Sequence, residues 1–187
     1  MPAKPKPLTI VIGADTFPPD INGAARFAER LAGGLARHGH DVHIIAPAFN
    51  DKHGTFTEIH DGSKMTVHRI KSYRLLQHAT LRFIWPFTLK SKTDALLKQI
   101  NPDAVHIQSH LIVGRYLVRS AKEQGIRVLA TNHIMPENLI QYSVIIPKFL
   151  EKFAMKLAWK DAGRILKRVD FITTPTRRAA ELLEAAA

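Results

Sequence analysis

An α/β fold with a doubly wound, mostly parallel sheet is predicted by three features of this 187-residue sequence. Short apolar runs rich in β-branched residues recur along the chain, as expected for strands buried on both faces of a parallel sheet. Segments with helical periodicity separate these runs, which is typical of parallel strands joined by crossover helices. The first strand, helix and strand unit is complete by Pro47. A sheet of this kind carries helices on both faces.

The predicted elements fill one Rossmann-like domain over residues 1–187. Six strands are predicted over residues 8–12, 42–46, 64–70, 103–107, 127–131 and 170–174. Five helices are predicted over residues 23–38, 93–100, 111–124, 147–168 and 177–187. Two segments stand outside this pattern. Residues 49–62 are polar, with turn signals such as Asp61-Gly62, and residues 71–92 fit no simple element.

A functional edge follows from the expected strand order 3-2-1-4-5-6, which places a topological switch point between the first and fourth strands. Ligands of such sheets bind there, beyond the carboxyl ends of the strands. The candidate residues at this edge are residues 15–23, Gln108, Ser109, His110, Asn132 and His133. His110 and His133 could each act as a general acid or base, or hold a hydroxyl or phosphate group by hydrogen bonding. His106 lies inside the fourth strand and is predicted to be a core histidine with hydrogen-bonded ring nitrogens.

The turn after the first strand, residues 15–26, reads D-T-F-P-P-D-I-N-G-A-A-R. A strand, a turn rich in Pro, Asp, Asn and Gly, and a helix follow one another here. This order places backbone N–H groups at a helix N-terminus, where the helix dipole favours an anion. The segment is therefore a candidate phosphate site, although a simple connection between strand and helix would show the same pattern.

The net charge of +11 is carried by the second part of the chain. Residues 1–60 contain six Lys or Arg and six Asp or Glu, whereas residues 61–187 contain 21 and 10. This excess predicts an anionic partner, such as a membrane surface, a nucleic acid or a phosphorylated ligand. The absence of cysteine excludes disulfides and thiolate metal sites, and no apolar run has the length of a membrane span or a signal peptide. A cytoplasmic location fits these features.

Basic and apolar residues are mixed in two stretches, residues 71–92 and 144–168. In the second stretch cations recur at every fourth position: Lys148, Lys152, Lys156, Lys160 and Arg164. Such a band is commonly a solvated helix face, but the neighbouring Phe, Trp and Leu also fit a surface that docks on anionic lipid headgroups. Nucleic acid is disfavoured, because no known binding motif is present and the aromatic residues do not form a stacking set.

Several common uses of this fold class are disfavoured by missing motifs. Gly13 and Gly23 after the first strand do not form G-x-G-x-x-G, which argues against a dehydrogenase. A P-loop and the G-x-S-x-G of a hydrolase are absent as well. His38, His40 and His43 are spaced as metal ligands could be, but the first two bracket a helix end, where cationic residues are common. No metal site is predicted.

Four motifs in order resemble the N-terminal domain of a GT-B-fold, family 4 retaining glycosyltransferase. They are F-P-P-D-I-N-G-A-A-R-F after the first strand, G-H-D-V-H-I-I-A-P at the second, P-D-A-V-H-I-Q-S-H at the fourth and T-N-H-I-M-P-E-N after the fifth. The resemblance covers nearly the whole chain. It implies one of two Rossmann-like domains that face each other across a cleft, the first binding mainly the acceptor and the second holding the nucleotide-sugar.

The resemblance also implies roles for individual residues. The loop that approaches the donor diphosphate is matched by Asn22, Gly23 and Arg26. His110 and Gln108 are the implied catalytic candidates beside the transferred sugar, and many members have His where this sequence has Gln108. The implied acceptor-binding group is Asp20, Ser109, Asn132, His133, Glu137 and Asn138.

The activity implied is transfer of a hexosyl unit from a nucleotide-diphosphate sugar, with retention and without a metal or other cofactor. The implied acceptor is a lipid or a lipid-linked molecule at the cytoplasmic face of a membrane. Because the family's nucleotide-sugar domain would follow residue 187, the chain by itself is expected to fold and bind but to be inactive or nearly so. The alternative is a non-catalytic binding domain for a phosphorylated or sugar ligand.

Overall fold

Residues 6–74, 82–133 and 148–186 are described by the computed structural model of this chain. The strands are β1 (Thr9–Gly13), β2 (Asp41–Pro47), β3 (Gly54–His60), β4 (Ser63–Ile70), β5 (Tyr73–Arg74), β6 (Arg82–Phe83), β7 (Ala104–Ile107), β8 (Arg127–Thr131) and β9 (Phe171–Thr173). The helices are α1 (Gly23–Arg37), α2 (Pro86–Ile100), α3 (Ile112–Glu123), α4 (Glu151–Leu166) and α5 (Arg177–Ala186). A 3₁₀ turn, Lys148–Leu150, precedes α4.

The main sheet has seven strands in the order β3-β4-β2-β1-β7-β8-β9. All neighbours in it pair in parallel except β3 and β4, and β5 pairs with β6 in a separate two-stranded ribbon. The six parallel strands thus have the predicted order 3-2-1-4-5-6, and the predicted fold class is confirmed. Gly13 at the end of β1 pairs with Ile107 at the end of β7, so the two following loops leave the sheet side by side.

Two apolar cores lie on opposite faces of the sheet, because successive side chains of a strand point to opposite sides. Helix α1 covers one face with Ala28 and Ala32, which pack against Ile12, Ile44 and Val67. The other face is covered by helices α2, α3 and α4. Its buried residues include Val11, Ile45, Leu89, Leu97, Val105, Ile107, Leu117, Val128 and Leu166.

Two parts of the sequence prediction were wrong. Residues 49–62, predicted as a polar turn segment, contain β3, which forms a hairpin with β4 through a turn with positive φ at Asp61 and Gly62. As an edge strand exposed along most of its length, β3 lacks the apolar run that reveals buried strands. Helix α2 begins at Pro86, seven residues earlier than predicted. Proline suits the first turn of a helix, where its missing N–H costs no hydrogen bond.

The turn between β7 and α3 packs unusually close to its neighbours. A methyl group added at Gly114 would overlap the carbonyl oxygen of Ser109, and one added at Gly13 would overlap the side chain of Leu117. Only glycine allows this close approach of α3 to β1 and to its own preceding turn. The start of α3 is therefore held in a fixed position at the switch point.

Candidate functional site

The candidate site is built by the loops that follow the adjacent strands β1 and β7. The backbone N–H of Gln108 donates to the carbonyl oxygen of Gly13 (2.9 Å), which joins the two loops at their origin. The loop after β1 leads to α1 and the loop after β7 leads to α3. Both helices therefore direct their N-termini to this edge of the sheet.

Asp15 ties the first loop to the start of α3. Its carboxylate is buried and accepts a hydrogen bond from the N–H of Val113 (2.7 Å) and one from the hydroxyl of Ser109. Burial raises the pKa of the Asp15 carboxyl group, and these hydrogen bonds oppose the rise. The carboxylate thus fills the place at the N-terminus of α3 where an external anion would bind.

Helix α1 begins in a different way. Asn22 is its N-cap: the side-chain oxygen accepts from the N–H of Ala25 (2.9 Å) and from the hydroxyl of Thr16 (3.2 Å). The first N–H groups of a helix have no partner within the helix, so those of Gly23 and Ala24 remain at the helix start. A side chain at Gly23 would meet no heavy atom within 4 Å. The turn is therefore open to a ligand.

The other two charged candidates of this loop lie farther from the helix start. The Arg26 side chain is 59% exposed and pairs with Glu29 (2.9 Å). Asp20 is partly buried, and its N–H donates to the carbonyl oxygen of Phe17 (3.2 Å). Burial raises the pKa of Asp20, while the nearby positive charge of Arg82 opposes the rise. Neither side chain contributes to the capping of α1.

His110 is buried at the end of the β7 loop, with 3% of its surface exposed. Its Nδ1 lies 3.2 Å from Oδ1 of Asn132, which follows β8. Burial lowers the pKa of His110, so the imidazole is neutral at pH 7. With Nδ1–H donated to the amide oxygen, Nε2 carries the lone pair and can accept a proton or a hydroxyl hydrogen bond.

Gln108 and His133 form a second pair beside this one. Nε2 of His133 lies 3.2 Å from Oε1 of Gln108, and the imidazole packs on the ring of Phe27 from α1 (4.6 Å between centroids). Burial lowers the pKa of His133 as well. Gln108 is 2% exposed, and within the described part of the chain its amide nitrogen has no hydrogen-bond partner. This nitrogen is a donor still available to a ligand.

The remaining predicted residues fall into two groups. Glu137 and Asn138 lie outside the described residues. The prediction for His106 is confirmed for one ring nitrogen: the residue is partly buried, its Nε2 lies 2.9 Å from the hydroxyl of Thr131, and burial lowers its pKa to about 4. No metal-binding group of three or more His, Asp or Glu side chains occurs within the ranges that the structure describes.

The basic row of the second stretch is solvent-exposed at all five positions: Lys148, Lys152, Lys156, Lys160 and Arg164. Three large apolar side chains of the same segment are also exposed, Phe149 by 83%, Phe153 by 62% and Leu157 by 50%. The buried residues of α4 are confined to its end, from Ala162 to Leu166. None of the described helices is both long and apolar enough to span a bilayer.

A family model described as Glycosyltransferase Family 4 matches residues 21–187. The chain belongs to glycosyltransferase family 4. This family 4 chain is 26% identical to a GDP-mannose-dependent alpha-mannosyltransferase of Mycolicibacterium smegmatis, over 95% of its own length and 44% of that protein. It is 24% identical to an alpha-monoglucosyldiacylglycerol synthase of Acholeplasma laidlawii, over 91% and 41% of the two lengths.

The family 4 chain therefore spans somewhat less than half the length of these relatives. The crystal structure of Acinetobacter baumannii MurG superposes with a TM-score of 0.53, over 90% of this chain and 42% of that one. At 13% identity this likeness concerns the fold alone. The resemblance to the N-terminal domain of a GT-B glycosyltransferase is confirmed.

Sequence reasoning missed two members of this site and one contact within it. Asp15 was placed in the loop but given no role, because its partner Val113 lies 98 positions away and no local pattern joins them. Phe27 was given no role in the site, although it is 41% exposed and its ring meets His133. The contact between Asn132 and His110 could have been found, since both follow neighbouring parallel strands.

Proposed function

We propose that this chain is the acceptor-side domain of a retaining glycosyltransferase, which transfers a hexosyl unit from a nucleotide-diphosphate sugar to a lipid or lipid-linked acceptor. One observation carries the proposal: the open N-terminus of α1 shares the edge of the sheet with the buried, neutral His110. A diphosphate at the first site would bring the attached sugar towards the second. Family membership supports the same reaction type.

Each group at this edge has a role that its hydrogen bonding permits. The N–H groups of Gly23 and Ala24 hold the diphosphate, and Arg26 would have to leave Glu29 to reach it. Nε2 of His110 and the unpartnered amide nitrogen of Gln108 hold hydroxyl groups of the sugar. The acceptor side is formed by Asp20, Ser109, Asn132, His133, Glu137 and Asn138. Transfer proceeds without a metal ion.

A lipid acceptor is favoured by two features. The Acholeplasma laidlawii relative is named for a glucosylated diacylglycerol, which is a lipid product. The exposed segment from Phe149 to Leu157 combines apolar side chains with lysines, as surfaces that lie on anionic bilayers do. The whole protein would then act as a peripheral enzyme at the cytoplasmic face of a membrane.

Residues 1–187 alone would bind ligand but turn over little or none, because the described crevice offers few cations to a departing diphosphate. Arg26 is paired with Glu29, and Asp15 adds a negative charge to the neighbouring helix start. Assays with several nucleotide sugars test this, on residues 1–187 and on the same residues joined to a family 4 nucleotide-sugar domain. We expect turnover only with the second domain. Absence of turnover in both, with sugar binding retained, would favour the alternative, a non-catalytic binding domain.

Membrane docking is tested by co-sedimentation with neutral and anionic vesicles at increasing salt. Each well-placed lysine contributes about 1 kcal/mol near an anionic surface, so replacing Lys152, Lys156 and Lys160 by alanine should abolish most binding at low salt. The matched control replaces three exposed lysines near the amino ends of strands β1, β4 and β7: Lys6, Lys64 and Lys98. Equal binding to both vesicle types, or equal loss in both triple variants, would exclude this docking surface. Steeply salt-dependent binding to DNA or RNA would instead indicate a nucleic-acid partner.

A further inference from the structure

A second cavity lies on the α1 face of the sheet, between the β3–β4 hairpin and the loop that follows β1. Its volume is about 350 Å³. It is lined by Pro19, Phe49, Lys52, Phe56, Glu58 and Arg69. Three strands, β4, β2 and β1, lie between the edge strand β3 and β7, so this cavity is distinct from the crevice at the switch point.

Arg69 is the central group of this cavity wall, and only 8% of the residue is exposed. Its Nε and Nη2 donate to the carboxylate of Glu58 (2.9 and 2.6 Å), and Nη2 also donates to the carbonyl oxygen of Pro18 (2.8 Å). The guanidinium lies over the ring of Phe17 (5.4 Å to the centroid). The guanidinium is therefore fixed in one orientation by β3 and by the loop that follows β1.

The third nitrogen of this guanidinium, Nη1, is buried and has no hydrogen-bond partner among the described residues. A buried N–H group without an acceptor is unfavourable, and native proteins contain few of them. Glu58 does not serve Nη1, because its carboxylate faces the side of the guanidinium that carries Nε and Nη2. A ligand that supplies an acceptor to Nη1 would complete the hydrogen bonding of the Arg69 guanidinium.

The charge around the cavity also favours an anion. Arg82 stacks on the ring of Phe49 (5.3 Å to the centroid) and donates to the Phe49 carbonyl oxygen. Lys52 is exposed at the rim and is in no ion pair among the described residues. With Arg69, these make three cations against the carboxylates of Glu58 and Asp20, an excess of one positive charge. The walls formed by Pro19, Phe49 and Phe56 are apolar.

We propose that this cavity binds a phosphate monoester, with the phosphate between Arg69 and Lys52 and an apolar or aromatic body against Phe49 and Phe56. An arginine presents fixed, directed donors to phosphate oxygens, and a lysine adds a mobile charge. The site does not depend on sugar transfer, because Arg69, Lys52, Phe49 and Phe56 are not among the residues assigned to the crevice. The two sites meet only in the loop from Pro18 to Asp20. A phosphate monoester bound in the cavity would hold the loop of Pro18 and Pro19 in place.

The test is a titration of the isotope-labelled chain with phenyl phosphate, followed by amide chemical shifts. We expect shifts confined to residues 49–58 and 69, and an affinity about tenfold higher than for inorganic phosphate, which lacks the apolar body. A third titration, after those with phenyl phosphate and inorganic phosphate, uses short-chain phosphatidate below its critical micelle concentration. Binding of phosphatidate more tightly than phenyl phosphate would identify a lipid headgroup as the source of the phosphate, and the reverse order a free metabolite. Shifts confined to Gly23 and Ala24 would overturn the proposal.

Two variants and one control locate the phosphate. Lys52→Ala should weaken phenyl phosphate binding five- to tenfold, whereas Lys64→Ala, which removes an equal charge at the far end of the hairpin, should leave it unchanged. Arg69→Lys keeps the charge but loses the directed donors, so a loss of about tenfold is expected. If Arg69→Lys does not fold, Lys52→Ala and the shift map decide alone. Equal affinity in Lys52→Ala and Lys64→Ala would overturn the proposal.

Discussion

The helices α1 and α3 begin beside each other at the carboxyl edge of the sheet, yet their first turns are filled by different groups. At α3 the carboxylate of Asp15, a residue of the preceding loop, accepts from the N–H of Val113 and from Ser109. At α1 the cap is the neutral side chain of Asn22, which serves Ala25. One helix start already holds an anion from within the fold, and the other does not.

This difference separates stability from function at the switch point. The carboxyl group of Asp15 accepts hydrogen bonds at the start of α3 and so joins two loops that are far apart in sequence. An external phosphate would be repelled there, so its place is at the N-terminus of α1. Changes around α3 should therefore affect mainly the folded state, and changes around Gly23 mainly ligand binding.

The largest effect is expected for Gly114→Ala in the first turn of α3. The new methyl group would overlap the carbonyl oxygen of Ser109, which is backbone and cannot rotate away. We expect a loss of about 3 kcal/mol or more in the free energy of unfolding, measured with urea. Gly34→Ala within α1 meets nothing within 4 Å and should instead gain up to about 1 kcal/mol. A stable Gly114→Ala protein would show that α3 is not held as tightly as the structure indicates.

Replacing Asp15 by alanine should cost about 3 kcal/mol, because Ser109 and the first N–H groups of α3 lose their buried acceptor. Asp15→Asn keeps one acceptor oxygen and should cost less. Urea unfolding of both variants at pH 7 measures the two losses. Equal losses would mean that the charge, and not the hydrogen bonding, holds the helix start.

The pH dependence of Asp15 has a defined sign. Burial raises its pKa in the folded state above 3.8, so the folded protein binds this proton more tightly than the unfolded chain does. Protonation therefore stabilises the fold as the pH falls through the folded-state pKa, and this contribution is absent at higher pH. The advantage of the native protein over Asp15→Asn in free energy of unfolding should grow as the pH is lowered towards 4. A constant difference between pH 4 and pH 7 would contradict the raised pKa.

At α1, Asn22→Ala should cost only about 1 kcal/mol, the usual loss for an N-cap side chain. The variant leaves the N–H of Ala25 and the hydroxyl of Thr16 without their acceptor. Thermal unfolding measures the loss, and Asn22→Ser, which keeps a capping oxygen, should restore most of it. A cost as large as that of Asp15→Ala would break the distinction between the two helix starts.

The order of the parallel strands could be predicted because short, mostly apolar strands alternate with helical segments, which is typical of a doubly wound sheet. The expected pairing of residues 8–12 with residues 103–107 placed Asn22 and His110 at one edge of the sheet, and these two strands do pair. The hairpin strand β3 was missed because its exposed side chains carry no apolar run. The start of α2 at Pro86 was missed within a stretch that fitted no simple element, although proline favours the first turn of a helix.

The chemistry of the site was less predictable than its location. Residue types at the edge follow from strand order, but hydrogen-bond partners depend on side-chain directions that periodicity does not specify. Asp15 could equally have faced solvent, and Gln108 could have been fully paired. The buried guanidinium of Arg69, on a strand predicted correctly, gave no sequence signal at all, because an arginine near a strand end is usually exposed.

The smallest effect on stability, and the sharpest test of ligand binding, is expected for Gly23→Ala. No heavy atom lies within 4 Å of the added methyl group, and the backbone is not in the left-handed region, so the free energy of unfolding should change by less than about 0.5 kcal/mol. A diphosphate that approaches the N–H groups of Gly23 and Ala24 would meet this methyl group. Titration with inorganic pyrophosphate, followed by amide shifts, should therefore show about tenfold weaker binding than in Gly34→Ala. Identical affinities in the two variants would mean that α1 offers no more of a phosphate site than α3 does.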